Sequence, residues 1–89
     1  MSYDYQTQRA NVFTEDGSVM FIKIRDQTHR LLKQAGAVRL QEAISGTTGD
    51  SWNMLACIDR MVELGELIEL SYPGGHSAGQ YRVFVSPFT

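Results

Sequence analysis

The chain has 89 residues, 43% of hydrophobic type and 20% charged, and a formal net charge of −2 from eight Lys+Arg and ten Asp+Glu. A chain this short buries only roughly 60–65% of the surface its unfolded form exposes, which leaves one thin core and no room for a large multi-part active site. The composition excludes disordered, collagen-like and membrane classes, and the acidic balance lacks the basic excess usual in nucleic-acid-binding domains.

One cysteine, Cys57, allows neither an internal disulfide nor a zinc pair, which suits a reducing, cytoplasmic setting. The first residues have no basic start and no apolar run, so they do not read as a signal peptide, and no stretch approaches the roughly 18 apolar residues of a membrane span. There is no internal repeat or low-complexity tract.

Residues 1–10 are polar, with tyrosines at 3 and 5, and read as a loose arm. Val12-Phe13-Thr14 and Val19-Met20-Phe21-Ile22 flank Glu15-Asp16-Gly17-Ser18, and an Asp-Gly between β-branched and aromatic residues predicts a two-stranded N-terminal ribbon. A competing reading starts a helix at Ser18 and carries it to Ala35, because Met20, Ile24, Leu31 and Ala35 can share a face. The β-rich run from Val19 to Ile24 favours the ribbon.

From Asp26 the period becomes 3.6, with Thr28, Leu31, Leu32 and Ala35 on one stripe, Asp26 as N-cap and Gly36 as the closing left-handed residue. A short connection, Ala37-Val38, leads to a second helix over residues 39–45, where Leu40 and Ile44 lie one turn apart before Gly46. That helix is too short to persist without packing. Residues 46–50 form a turn, and Asp50 or Ser51 caps a third helix over 51–64, closed by Gly65. Its inward stripe is Met54, Cys57, Ile58, Met61 and Leu64; its outward set is Trp52, Asn53, Ala56, Asp59, Arg60 and Glu63. Residues 67–72 and 80–85 then read as two strands joined by a Gly-rich loop over 73–79, opened by Pro73.

This order of elements resembles the winged helix-turn-helix domain over about residues 26–86. Its most specific part is Cys57-Ile58-Asp59-Arg60-Met61-Val62-Glu63-Leu64-Gly65-Glu66-Leu67-Ile68, similar to the end of the recognition helix and start of the wing in multiple-antibiotic-resistance-type bacterial regulators. The expected architecture is α+β: three helices and a C-terminal β-hairpin wing over 26–89, preceded by an N-terminal arm and ribbon over 1–25, all in one compact unit. The resemblance implies a double-stranded DNA partner, with the third helix in the major groove and the wing on the backbone. Thr48, Ser51, Trp52, Asn53, Ala56 and Arg60 are the candidates on the reader, and Arg39, His76 and Arg82 beside it. Asn53 suits adenine, and Arg60 a guanine or a phosphate.

Each candidate also has a plain structural use. Asp50 and Ser51 can be caps only, Asn53 a solvated first-turn residue, and Trp52 an extension of a thin core. Positive charge gathers at Lys23, Arg25, Arg30, Lys33 and Arg39, whereas residues 50–69 hold five acidic groups and one Arg. A local basic cluster can contact phosphates whatever the net charge, but it can equally be a solvated face. The usual third-helix surface is rich in Ser, Thr, Arg and Lys, whereas here Leu55 and Ala56 hold central positions and Asp59 and Glu63 add negative charge, and the wing tip has no Lys or Arg.

Two functions follow. One is a small prokaryotic or phage transcriptional regulator, a homodimer joined through the Tyr3 and Tyr5 arm or the ribbon. The other is a protein-interaction module using Trp52, Leu55 and Ala56 without DNA. No enzyme is expected: residues 73–79 lead into a strand rather than a helix, and an inward Cys57 is an unreactive thiol. No cofactor or metal is expected either, since His29, His76 and Cys57 lack ligand spacing.

Overall fold

The computed structural model describes residues 2–70 and 82–87. Four helices and a three-stranded antiparallel sheet make an α+β arrangement compatible with a winged-helix-like fold. In chain order these are α1 (Tyr5–Gln8), a 3-10 helix (Arg9–Phe13), α2 (Glu15–Ala35), β1 (Ala37–Arg39), α3 (Leu40–Ile44), α4 (Ser51–Glu63), β2 (Ile68–Glu69) and β3 (Val83–Val85).

The largest difference from the sequence expectation lies in residues 12–24. They form no ribbon: after the 3-10 helix the chain turns at Thr14 and runs as one helix from Glu15 through the expected boundary at residue 25. The start is locally specified. The Thr14 hydroxyl accepts the Gly17 N–H at 3.0 Å, and Glu15 and Asp16 place negative charge at the positive end of the helix dipole. Gly17 is not a hairpin residue; a Cβ there would collide with the Asn11 carbonyl oxygen, so the glycine permits a close approach. Burial then outweighs β propensity, because Ile24, Thr28 and Leu32 fall on one inward stripe while Val19 and Ile22 stay more than half exposed. The buried Thr28 hydroxyl donates to the Ile24 carbonyl at 2.7 Å, so the polar group costs the core little.

Ala37 and Val38, read as a connection, belong to a strand. β1 pairs with β3 (Ala37 with Val85, Val38 with Phe84, Arg39 with Val83), and β2 pairs with the other side of β3 (Ile68 with Val85, Glu69 with Phe84), giving the order β1-β3-β2. Val38 and Phe84 point into the core with Ile24, Ile58, Met61 and Leu67. The five-residue α3 is held by its neighbours: the Gln27 side-chain amide donates to the Glu42 and Ser45 carbonyls at 2.8 Å each, and Leu40 and Ala43 are buried. The turn after it needs glycine at position 49, where φ is 125° and a Cβ would press on Met20. α4 begins at Asp50, whose carboxylate accepts the Trp52 N–H at 2.8 Å. The expected wing loop over 73–79, with His76, lies outside the described residues, as do the outer parts of both expected wing strands. No helix among the described residues is long and apolar enough to cross a membrane.

Candidate functional site

The site to test is the side of α4 turned away from the core. Met54, Cys57, Ile58 and Met61 face inward, and burial pushes the Cys57 thiol up to about 11, so it stays a neutral core group. The opposite side is only partly open to solvent. The N-terminal segment, residues 3–13, lies across it, and four of its residues bond to three residues of α4 that are 42–58 positions away in sequence.

Each contact has a clear physical basis. The Tyr3 hydroxyl donates to Asp59 at 2.7 Å and the Tyr5 hydroxyl to Glu63 at 2.8 Å. Arg9 reaches both Glu63 oxygens, at 2.9 and 3.0 Å, and the Asn11 amide donates to the Asn53 side-chain oxygen at 3.0 Å. Between these bonds Val12 is buried, and Ala56, expected on the outward set, is fully buried too. The small side chain at position 56 lets the 3-10 helix approach, so the correction comes from a covering element that the helical period of α4 does not reveal. Arg9 and Arg60 lie 5.0 and 4.9 Å from the Phe13 ring centre, within cation–π range.

The electrostatics follow from these bonds. Hydrogen bonds from Tyr5, Arg60 and Arg9 hold the Glu63 carboxyl down to about 2. Partial burial and the bond to Glu63 push the Tyr5 phenol up to about 12, and burial with the bond to Asp59 raises Tyr3 as well. Arg82 is an internal bridge: its guanidinium, 10% exposed, contacts Asp59 at 2.5 Å and Glu69 at 2.7 Å, and stacks 5.1 Å from the Phe84 ring centre. Burial opposes that charge, and the hydrogen bonds to Glu69 and Asp59 outweigh the opposition.

The expected site residues therefore separate. Asn53, Ala56, Arg60 and Arg82 are used inside the molecule. Ser51 is exposed and Trp52 half-buried on the first turn of α4, with Leu55 half-buried against the core. Thr48 and Asn53 line an open cleft of about 340 Å³ with Asp16, Val19, Met20, Lys23, Asp50 and residues 46, 47 and 49. Arg39 is exposed on β1; its backbone N–H donates to Glu42 at 2.9 Å.

The eight Lys and Arg divide evenly. Arg9, Arg25, Arg60 and Arg82 pair with Glu63, Glu66, Glu63, and Asp59 with Glu69, respectively. Lys23, Arg30, Lys33 and Arg39 are exposed and have no carboxylate within ion-pair distance among the described residues. His29 adds a 3.2 Å contact to Glu66. No group of three or more His, Cys, Asp or Glu among the described residues could hold a metal ion.

The sequence reading missed Arg9, Asn11, Val12 and Phe13 as partners of α4. The local signal lay one step further on: Thr14 followed by two acidic residues is a helix start, and a helix there sends the preceding segment back along α4 instead of out as a ribbon. Neither a scan of protein-family models nor searches of curated proteins and solved structures finds a match for this chain.

Proposed function

We propose that the chain is a winged-helix-like module that works by binding a protein segment on the outward side of α4. The observation that carries this reading is the occupancy of that side: a peptide segment, the chain's own residues 3–13, already lies where a base-reading helix would be bare. A major-groove reader needs free side chains on that surface. Here Asn53 and Arg60 are bonded to neighbours and Ala56 is buried. The surface also offers what a peptide needs, with Asp59 and Glu63 as acceptors for hydroxyls and guanidinium groups and a small residue, Ala56, a turn before Asp59.

Titration of labelled duplexes at low salt tests this. The expected result is weak, sequence-independent binding that Asn53→Ala and Arg60→Ala leave unchanged within about twofold, a difference of roughly 0.4 kcal/mol. Sequence-dependent binding abolished by Asn53→Ala would overturn the proposal and restore α4 as the DNA reader.

A second reading has its own support. The four unpaired cations between residues 23 and 39 suit phosphate contacts made by α2 and β1 without base readout, as a small DNA-binding regulator could use them. In the same titration, Lys23→Ala with Arg30→Ala would then reduce affinity uniformly across sequences and flatten the salt dependence. No effect of that pair on binding removes this second reading.

A further inference from the structure

Residues 3–13 are a self-contained ligand for α4. Their long-range hydrogen bonds all end on that helix, at Asn53, Asp59 and Glu63. The segment is joined to α2 by a single non-helical residue, Thr14, whose backbone is extended at φ −75° and ψ 164°. Two side-chain bonds brace the fold-back: the Thr14 hydroxyl donates to the Asn11 carbonyl at 2.8 Å and the Ser18 hydroxyl to the Val12 carbonyl at 3.2 Å. The bend is so close that residue 17 has no space for a Cβ beside the Asn11 carbonyl.

We propose that the outward side of α4 also takes the N-terminal segment of a second copy, so that two chains dimerise by exchanging residues 3–13. This rests on reading that side of α4 as a protein-binding surface. The second copy's segment fits because it is the segment already seated there: Tyr3, Tyr5, Arg9 and Asn11 make the same bonds in either arrangement. What differs is the bend over residues 11–18, present only when the segment folds back on its own chain. The interface is two-fold symmetric, with each chain giving a segment and a helix. A net charge of −2 opposes the approach of two copies only weakly.

The balance between the two forms is set by concentration and by the bend. A tether this short holds the segment at an effective concentration on the order of millimolar or above, so the closed monomer dominates dilute solutions. Gly17→Ala acts chiefly on the bend. The new methyl group would collide with the Asn11 carbonyl oxygen in the closed form, and once the segment has swung to a partner its remaining close neighbour is the Thr14 hydroxyl at 2.9 Å, on a side chain that can turn aside.

Sedimentation equilibrium over a concentration series tests the exchange in the full-length chain. Gly17→Ala is expected to tighten the dimer constant by at least about a hundredfold over wild type, with residues 3–13 still protected from hydrogen exchange. A folded Gly17→Ala chain that stays monomeric at every concentration overturns the proposal. If that variant does not fold, R9E and E63R decide. Each alone sets like charges together at the Arg9–Glu63 pair and weakens the seating of its own segment. Mixed, an exchanged heterodimer restores opposite charges at both sites, because the R9E segment lies on the E63R helix and the reverse pair is native. Heterodimer on mixing, with each variant monomeric alone, supports exchange; no heterodimer overturns it. A duplex read by Asn53 would instead defeat the proposed function and leave these association results untouched.

Discussion

Two stretches of this chain look like opposites in the sequence, and the structure distinguishes them in another way. Residues 50–69 are acidic and residues 23–39 are mostly basic. In the acidic stretch Asp59, Glu63, Glu66 and Glu69 are all bound by arginines that come from residues 9, 25, 60 and 82, so those four acids and four cations cancel. In the basic stretch, among the described residues, Arg25 is paired with Glu66, whereas Lys23, Arg30, Lys33 and Arg39 have no ion pair and keep their field in solvent. Local charge along a chain therefore says little about surface potential, because a guanidinium can reach a carboxylate dozens of residues away. The acidic excess is left on Asp4, Glu15, Asp16, Asp26, Glu42 and Asp50.

The sharpest way to break this contrast is Arg82→Ala. It strands Asp59 and Glu69, and removal of one partner from a buried ion pair costs about 3–5 kcal/mol; partial exposure of both acids lowers the expected loss to about 2–3 kcal/mol in urea unfolding. Combining Arg82→Met with Asp59→Asn and Glu69→Gln should recover most of it, since no charge is then left alone. If Arg82→Ala is neutral, the bridge is a surface pair and the acidic stretch is less closed than described.

Next in size, Ala56→Leu tests the cover. On an open helix this exchange is harmless, but beneath residues 3–13 it overpacks a fully buried position and should cost about 1–3 kcal/mol, together with faster hydrogen exchange in residues 3–13.

The pH dependence is smaller and has two arms. Glu63 is held below its unfolded value, so its contribution is complete above the ordinary carboxylate range and is lost as pH falls from about 4.5 toward 2. Tyr5 is raised, so its contribution is complete below about 10 and is lost as pH rises toward 12. Denaturant midpoints across pH should show both arms. Glu63→Gln should flatten the acid arm and Tyr5→Phe the alkaline one.

The smallest effect belongs to the basic stretch. Replacing Lys23, Arg30, Lys33 and Arg39 together by Ala should change stability by less than about 0.5 kcal/mol per site, because their side chains are exposed and make no ion pair among the described residues. A larger loss would show that these charges are coupled within the molecule after all.

Part of the candidate site was legible in the sequence. Asp50 at the start of α4, the inward Met54, Cys57, Ile58 and Met61, and the stop before Gly65 all follow from helical period and capping, which are local. The surroundings of Ala56 were not legible. Its place on the wheel puts it outward, yet it is fully buried, on a helix against which the N-terminal segment packs. Asn53 and Arg60 carry the right chemistry for base edges, yet what they do depends on Asn11, Glu63 and Phe13 lying beside them.

The sequence by itself determined the helix over residues 51–63 and the neutrality of Cys57, because each depends on helical period and caps within a few positions; it also marked the short helix before it and the strand at 83–85, which persist through Gln27 and through pairing with β1 and β2. Tertiary structure alone decided the rest. A β-rich run became helix because Ile24, Thr28 and Leu32 could be buried together, Ala37 and Val38 became a strand because β3 lay beside them, and the bare side of α4 became a covered one. Each of those outcomes depends on partners far away in the chain, and burial of shared apolar area and distant ion pairs outweigh local preference when the two disagree.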